Sequence, residues 1–234
     1  MKPSFWKTSS ETSLKISIAT LGVLAAIGLC GPLARAEIAT YAIVPGSEGT
    51  EVEFLSKATL ESFTGHTDQI RGRVVCDPDG LADSIVVYVE VDLATLETGM
   101  GLRDKHMREN HLETDQYPHA IFRGARILPG SERALTTGEP VDIRIAGEFA
   151  LHGVRRPLEV TARVTRIEDD PPALAVVCAF EVKLADHQID RPKFLMMKVS
   201  DTQRVTLRLL ATKTPVTPTA PEAPRDQETP GADG

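Results

Sequence analysis

The segment from Met100 to Phe122, MGLRDKHMRENHLETDQYPHAIF, concentrates the side chains of this chain that could do chemistry. It holds three of the six histidines, and its acids are Asp104, Glu109, Glu113 and Asp115. Imidazoles and carboxylates serve as general acids and bases and as metal ligands. The segment could therefore be a catalytic site, a metal site, or a structural element that only resembles one.

The spacing of the histidines does not indicate a local metal site. His106 and His111 are five residues apart, whereas two zinc ligands on one helical face are typically four apart, as in HExxH motifs. A metal site assembled from distant parts of the chain stays open. We predict no metal-ligating residues and no cofactor other than a bound lipid.

Nucleophilic and acid–base catalysis are not indicated either. The chain has no GxSxG motif, and Cys76 and Cys178 fall within predicted strands, where a thiol is not activated. A carboxylate pair could be built from the acids of the segment, but acids this dense on a loop are usually solvated. We predict a protein without enzymatic activity, and a metal-dependent enzyme acting through residues 103–113 is an alternative.

Both ends of the chain have the composition of segments outside the folded domain. Lys2, Lys7 and Lys15 precede a 15-residue apolar run that ends at Cys30, and Ala34-Arg35-Ala36 follows as a cleavage site. This pattern is typical of a secretory signal peptide, which we predict over residues 1–36 with cleavage after Ala36. A retained anchor is the alternative. Residues 213–234 contain five prolines and are predicted to be a disordered tail.

The part between these ends, residues 37–212, has the size of one domain. It contains no second apolar run long enough to span a membrane, so we predict no stable span after processing. Removing residues 1–36 takes away four bases and one acid, which changes the formal charge from −7 to −10. This acidity disfavours nucleic acids and anionic membrane surfaces as partners. An exported protein of this kind would be periplasmic or secreted.

The domain has a dominant sequence period of two. In 83–92, Ile85, Val87, Val89 and Val91 alternate with a mixed set, as expected for a strand with one buried face. Short turn sequences such as Asp77-Pro78-Asp79-Gly80 make consecutive strands antiparallel. Eight strands with one apolar face each can close into a barrel. The predicted strands are 51–58, 69–76, 83–92, 120–127, 141–151, 158–165, 178–184 and 203–210.

The sequence patterns that indicate helices are weaker than those that indicate strands. A short helix is predicted from about Gly101 to Leu112, and another turn within residues 57–63. The residues therefore predict an all-β fold of eight antiparallel strands with one or two short helices, in which the sheet either closes into a barrel or folds over as a sandwich. Cys76 and Cys178 either form one disulfide bond in an oxidising compartment or pack separately in the core, and the sequence leaves both alternatives open.

Four motifs follow one another between about Val52 and Leu210. They are Phe63-x-Gly65; Thr98-Gly99 followed by Arg103-Asp104-x-His106-Met107; Leu112-Glu113-Thr114-Asp115-x-Tyr117-Pro118-x-x-x-Phe122; and Leu151-His152-Gly153-Val154-x-Arg156-Pro157. In their order and spacing they resemble the YceI-like family. The resemblance implies an antiparallel eight-stranded, extended lipocalin-like barrel in an exported bacterial protein that binds polyisoprenoids.

What the resemblance implies for function is the carriage of an isoprenoid quinone or similar amphiphilic lipid inside the barrel, without chemistry. A barrel with a closed core that binds a protein partner is an alternative, because period two does not distinguish a filled interior from a hollow one. A homodimer is also left open. Arg103, Asp104 and His106 are expected to brace the barrel mouth or to contact a head group. The candidate ligand contacts are Phe54, Phe63, Arg103, Asp104, His106, Phe122, Phe149, Leu151, Leu195 and Met197.

Overall fold

A computed structural model describes residues 37–58, 62–81, 85–131, 134–191, 193–194 and 197–215 of the chain. The predicted signal peptide and all of the predicted tail beyond residue 215 lie outside these ranges. None of the helices within the described ranges is long and apolar enough to span a bilayer.

The described residues form twelve strands, and every pairing within the main sheet is antiparallel. The strands are β1 (Ala39–Ile43), β2 (Glu51–Ser56), β3 (Phe63–Thr67), β4 (Ile70–Cys76), β5 (Val86–Asp92), β6 (His119–Ile127), β7 (Pro140–Leu151), β8 (Val154–Ile167), β9 (Ala173–Lys183), β10 (Lys193–Phe194), β11 (Met197–Lys198) and β12 (Thr202–Lys213).

Eight of these strands close into a ring in the order β1-β4-β5-β6-β7-β8-β9-β12, and β12 returns to pair with β1. The closing contacts lie at the end of β12, where Ile43 is opposite Ala211. The first half of β12 pairs instead with β2, which continues into β3 as a hairpin. The predicted eight-stranded antiparallel barrel is confirmed, with β2 and β3 as an extension of its wall.

The alternation read from the sequence is the reason why these strands form a barrel. Residues at every second position point inward, and successive side chains of β9 show the pattern: Val176 faces the interior whereas Val177 is 46% exposed outside. The smaller interior residues, such as Ile143 on β7 and Ala211 on β12, are almost fully buried.

The ring differs from the prediction in two strands: β1, which was not predicted, completes the ring, and β2, which was predicted among the eight, lies outside it. β3, the hairpin partner of β2, was not predicted either. β1 is only five residues long, and β3 reads FTGHT, without an apolar period. β1 is stabilised by pairing with β4 and β12, which are distant in the chain and which a local pattern does not indicate, whereas β3 is stabilised by its hairpin pairing with β2.

The sequence also places Gly153 to Pro157 between the predicted strands 141–151 and 158–165, and this prediction is wrong. β7 ends at Leu151 and β8 begins at Val154, so the turn consists of His152 and Gly153 alone, both with positive φ (51° and 74°). Positive φ at both central positions suits a tight hairpin. Pro157 lies inside β8, opposite Glu148, in the part of β8 that precedes its pairing with β9. Proline has no N–H to donate, and it is tolerated there because this part of β8 has no second neighbouring strand that would need the donor.

The two ends of the barrel are covered differently. At one end the loop after β4 meets the loop before β7: the Leu135 N–H donates to the carbonyl oxygen of Pro78 (2.7 Å), and Leu81 and Leu135 are buried. At the other end, called the mouth here, α1 (Gly101–His106) crosses the opening and continues as one π-helical turn, Met107–His111. The helix predicted from Gly101 is confirmed.

Gly147 is a position where the barrel wall requires glycine. A Cβ atom at Gly147 would lie 2.8 Å from the Gly124 Cα of β6 and closer still to the Arg123 carbonyl oxygen. We expect Gly147→Ala to lower the free energy of unfolding by about 1–3 kcal/mol, because the added methyl group forces β6 and β7 apart.

Urea unfolding of Gly147→Ala beside Gly101→Ala measures this effect. An added Cβ at Gly101 meets nothing within 4 Å, so the control should unfold like the wild type. Equal stability of the two variants would contradict the close approach of β6 and β7.

Candidate functional site

The barrel encloses a cavity of about 850 Å³. It extends from Leu81, Leu135 and Leu174 at the covered end to Arg103 and His106 of α1 at the mouth. Its walls are mostly aliphatic and aromatic. Apart from the two cysteines, the polar residues among its described lining are Ser56, Arg103, His106, Asn110, His111 and Gln203.

The exposure of the interior side chains shows that the barrel is not filled. Phe54, Phe122, Phe149 and Phe180 point into the barrel and pack against its core, yet each is only partly buried because one side of the ring faces the cavity. A solid core would bury them completely. The closed interior required by the protein-binding alternative is therefore not found.

Glycines in the wall make room for the aromatic rings. A Cβ at Gly124 would lie 2.9 Å from the Phe122 ring, and one at Gly147 would lie 2.8 Å from it, so this ring occupies space that two side chains would otherwise take. At the mouth, Phe54 packs closely over Gly65 and meets Phe63 edge-to-face, with ring centroids 6.2 Å apart. Rings held against the wall leave the centre of the barrel empty.

The helix at the mouth is held by Arg103 and Asp104. The Arg103 guanidinium lies 4.3 Å above the Phe63 ring centroid, and it donates to the hydroxyl (2.7 Å) and carbonyl (2.8 Å) oxygens of Thr98. The buried Asp104 carboxylate accepts hydrogen bonds from the backbone N–H (2.8 Å) and hydroxyl of the same threonine. These contacts tie α1 to the segment that precedes it.

The hairpin turn of β7 and β8 is attached to the mouth through histidines. His152 places Nε2 2.8 Å from a Glu113 carboxylate oxygen and Nδ1 3.1 Å from the His187 carbonyl oxygen. The buried His187 packs edge-to-face on Phe149, with centroids 5.4 Å apart. Burial lowers the pKa of His187 below its ordinary value of 6.5, although the backbone carbonyl groups of Val154 and Leu151 act in the opposite direction.

The structure brings seven of the ten candidate ligand contacts to the cavity: Phe54, Phe63, Arg103, His106, Phe122, Phe149 and Leu151. Asp104 is not among the residues that line the cavity, and its carboxylate faces Thr98. Leu195 is outside the described residues, and for Met197 only the backbone pairing of β11 with β10 is described. That any of these residues contacts a ligand stays a prediction.

Several lining residues were not among the candidates. Val176 and Phe180 on β9 and Val205 on β12 lie on the same inward alternation, so the period could have identified them. Ser56 and Gln203 could not be found in this way, because a polar residue on an apolar face breaks the pattern on which the prediction depended.

Both cysteines of the barrel face the cavity as free thiols. Cys76 is on β4 and Cys178 is on β9, and β1 and β12 lie between these strands on the shorter path around the ring. Three strand spacings of roughly 4.8 Å exceed the limit of about 7 Å between the Cα atoms of a disulfide. Burial raises the pKa of each thiol from 9.0 to about 11.

The histidines and acids of residues 100–122 were considered as metal ligands, and the structure shows how they are placed. Within the described ranges, no three histidine, cysteine, aspartate or glutamate side chains are placed to hold a metal ion. His111 Nδ1 lies 3.0 Å from the Asp190 carbonyl oxygen, and it connects the π-helical turn to the loop after β9.

The sequence profile of the YceI-like domain matches residues 41–211, most of the chain. The chain belongs to the YceI-like family. It is 26% identical over 160 residues to a UPF0312 protein of Vibrio parahaemolyticus, which covers 68% of this chain and 78% of that protein. It is 29% identical over 86 residues to Protein YceI of Escherichia coli, which covers 36% of this chain and 40% of that protein.

Solved structures of similar fold agree with the architecture of this YceI-like chain. One is a polyisoprenoid-binding domain from Saccharophagus degradans, with a TM-score of 0.59 and 19% identity; the match covers 76% of this chain and all of that domain. Another is BcnA of Burkholderia cenocepacia, with a TM-score of 0.56 and 16% identity, covering 70% of this chain and 96% of that one.

The buried thiols should react slowly. With Cys30 replaced by serine, we expect Cys76 and Cys178 to react with a charged disulfide reagent at neutral pH at least roughly 100-fold more slowly in the folded protein than in urea, because the raised pKa lowers the thiolate fraction by that factor. Stopped-flow absorbance measures both rates. Rapid, stoichiometric labelling of the folded protein would place the thiols outside the cavity.

His187 should make the stability of the mouth dependent on pH. Its pKa is lower in the folded state than in the unfolded state, so between these two values the unfolded chain binds more protons. The contribution is fully present above pH 6.5 and is lost as the pH falls towards the folded pKa. We expect the loss of unfolding free energy between pH 7.5 and 5.0 to be smaller in His187→Gln than in the wild type. Identical losses would refute this assignment.

Proposed function

We propose that the protein binds and carries a polyisoprenoid lipid, such as an isoprenoid quinone, in the barrel cavity without changing it chemically. The observation that carries the proposal is the continuous apolar cavity of about 850 Å³, which is open at the mouth and covered at the other end. The similarity in fold to a domain described as polyisoprenoid-binding supports the same ligand class.

Burial of hydrocarbon is sufficient for affinity in such a site. Each buried methylene contributes about 0.8 kcal/mol, so a five-carbon isoprene unit contributes roughly 4 kcal/mol before the costs of association and ordering. A few units would outweigh those costs. The cavity needs little specific chemistry to hold a chain, which agrees with its small number of polar residues.

The distribution of polar and apolar side chains favours one orientation of the lipid. The chain would extend towards Leu81 and Leu135, and its polar end would remain near Arg103, His106 and Asn110 at the mouth. Leu102 also lines the cavity and is 67% exposed to solvent, so it offers an apolar surface at the entrance. A lipid leaving a membrane could enter along this residue.

The site of action that we propose is outside the cytoplasm. The predicted signal peptide supports export to the periplasm or the medium, where a carrier would shield an insoluble chain from water. The family is one of binding domains, which supports a function without catalysis. A homodimer stays a prediction.

Two neighbouring valines of β9 offer a matched test. Val176 lines the cavity, whereas Val177 is on the outer face of the same strand. We expect Val176→Trp to reduce the amount of bound octaprenyl quinone at least tenfold, because the indole takes the space of the lipid chain. Val177→Trp should bind as the wild type does.

Lipid bound per protein is measured by solvent extraction and mass spectrometry after incubation with the quinone. Circular dichroism of both variants shows whether the barrel is retained. If Val176→Trp folds and still binds a full equivalent of quinone, or if the wild type takes up none, the lipid does not occupy this cavity.

A further inference from the structure

The hydroxyl group of Ser56 is buried in the wall of the barrel. The side chain of Ser56, the last residue of β2, is 1% exposed, and its Oγ has no hydrogen-bond partner among the described residues. Ser56 lines the cavity in the same inward row as Val52 and Phe54. A buried hydroxyl without a partner lowers stability, so its presence requires a reason.

Gln203 on the neighbouring strand β12 lies next to Ser56. It is the only polar residue among the described cavity-lining residues of β12. In the pairing of β2 with β12, Leu55 is opposite Arg204, so the next pair in register is Ser56 and Gln203. Gln203 also lines the cavity and is 7% exposed, whereas the other inward residues of β12 are Val205, Leu207, Leu209 and Ala211. Opposite side chains in a sheet have Cβ atoms roughly 5 Å apart. The two polar residues therefore form one patch.

The hydrogen bonds of Gln203 leave an acceptor at this patch. Its Nε2 donates to the Ser200 carbonyl oxygen (2.6 Å), which fixes the side chain against the loop before β12. The carboxamide oxygen is then the end that remains for another partner, and Ser56 Oγ can both donate and accept.

We propose that Ser56 and Gln203 form a hydrogen-bonding subsite for an uncharged oxygen of the ligand, best filled by a hydroxyl group at the polar end of an isoprenoid chain. A hydroxyl can accept from Ser56 Oγ and donate to the Gln203 carboxamide oxygen at the same time. The inference rests on the proposed function, and it adds the chemical class of the head group.

A charged head group fits this patch less well. Along the strands, the residue opposite Ser56 is Phe63 and the residue opposite Gln203 on β9 is Val182, so the immediate surroundings are apolar. Arg103 stacks on Phe63 but gives two hydrogen bonds to Thr98. An anion at the patch would have to share the charge of Arg103 with the neighbouring Asp104 carboxylate, whereas a hydroxyl needs only the hydrogen bonds that the patch offers.

The inference is tested on the delipidated full chain with three C15 isoprenoids: a hydrocarbon, the corresponding alcohol and the phosphate of that alcohol. Dissociation constants are measured for the wild type and for Ser56→Ala. We expect Ser56→Ala to raise the dissociation constant of the alcohol roughly three- to tenfold, which is the effect of losing one neutral hydrogen bond. The dissociation constant of the hydrocarbon should stay within about twofold of the wild-type value. Ser56→Thr retains a hydroxyl and should retain most of the affinity for the alcohol.

Stability separates a ligand-binding role from a structural one. Without ligand, Ser56→Ala should unfold at the same or a higher urea concentration than the wild type, because the substitution removes an unpaired buried hydroxyl. A clear loss of stability would show that Ser56 holds the fold, and would overturn the inference.

The binding results also separate the inference from the proposed function. If the wild type binds the hydrocarbon but Ser56→Ala weakens the binding of the alcohol and of the hydrocarbon equally, the cavity binds lipid and only the polar subsite is refuted. The same holds if the phosphate binds most tightly and Ser56→Ala does not change the preference. If none of the three compounds binds, the proposed function fails together with the subsite.

Discussion

Closure of the sheet by the pairing of β12 with β1 is the constraint on which the rest of this structure depends. A ring of eight strands has a set circumference and turns one face of every strand inward. Whether that interior is solid depends on the sizes of the inward side chains. Here Gly124 and Gly147 allow the Phe122 ring to lie where two side chains would otherwise be, and a cavity of about 850 Å³ remains.

The hairpin of β2 and β3 gives the barrel its asymmetry. Because β12 pairs with β1 over its last residues and with β2 over its first half, the wall near the mouth contains additional strands. The covered end is closed by buried leucines of two loops, whereas the mouth is crossed by α1. An apolar chain therefore has one direction of entry, and the polar groups are placed where its head would remain.

The segment rich in histidines and acids has its explanation in this asymmetry. Its Arg103 and Asp104 hold α1 against Thr98, and its Glu113 meets the hairpin turn through His152. The contacts of these side chains therefore connect the elements that lie around the opening. In the proposed lipid site, apolar burial would supply most of the affinity, so discrimination between ligands would depend on the few polar atoms inside. One of them is the Ser56 hydroxyl, which has no hydrogen-bond partner among the described residues.

The sequence by itself determined the all-β class, the family, the helix at residue 101 and most strands of the ring, since alternation and turn residues are local properties. Only the tertiary structure decided that β1 completes the ring, that β12 pairs with both β1 and β2 on the side opposite β9, and that Pro157 lies within a strand. It also decided that the interior is hollow and that Ser56 and Gln203 both line the cavity, from neighbouring strands. These features depend on pairing between residues far apart in the chain and on the volume left between packed side chains, and neither quantity is encoded in a local pattern.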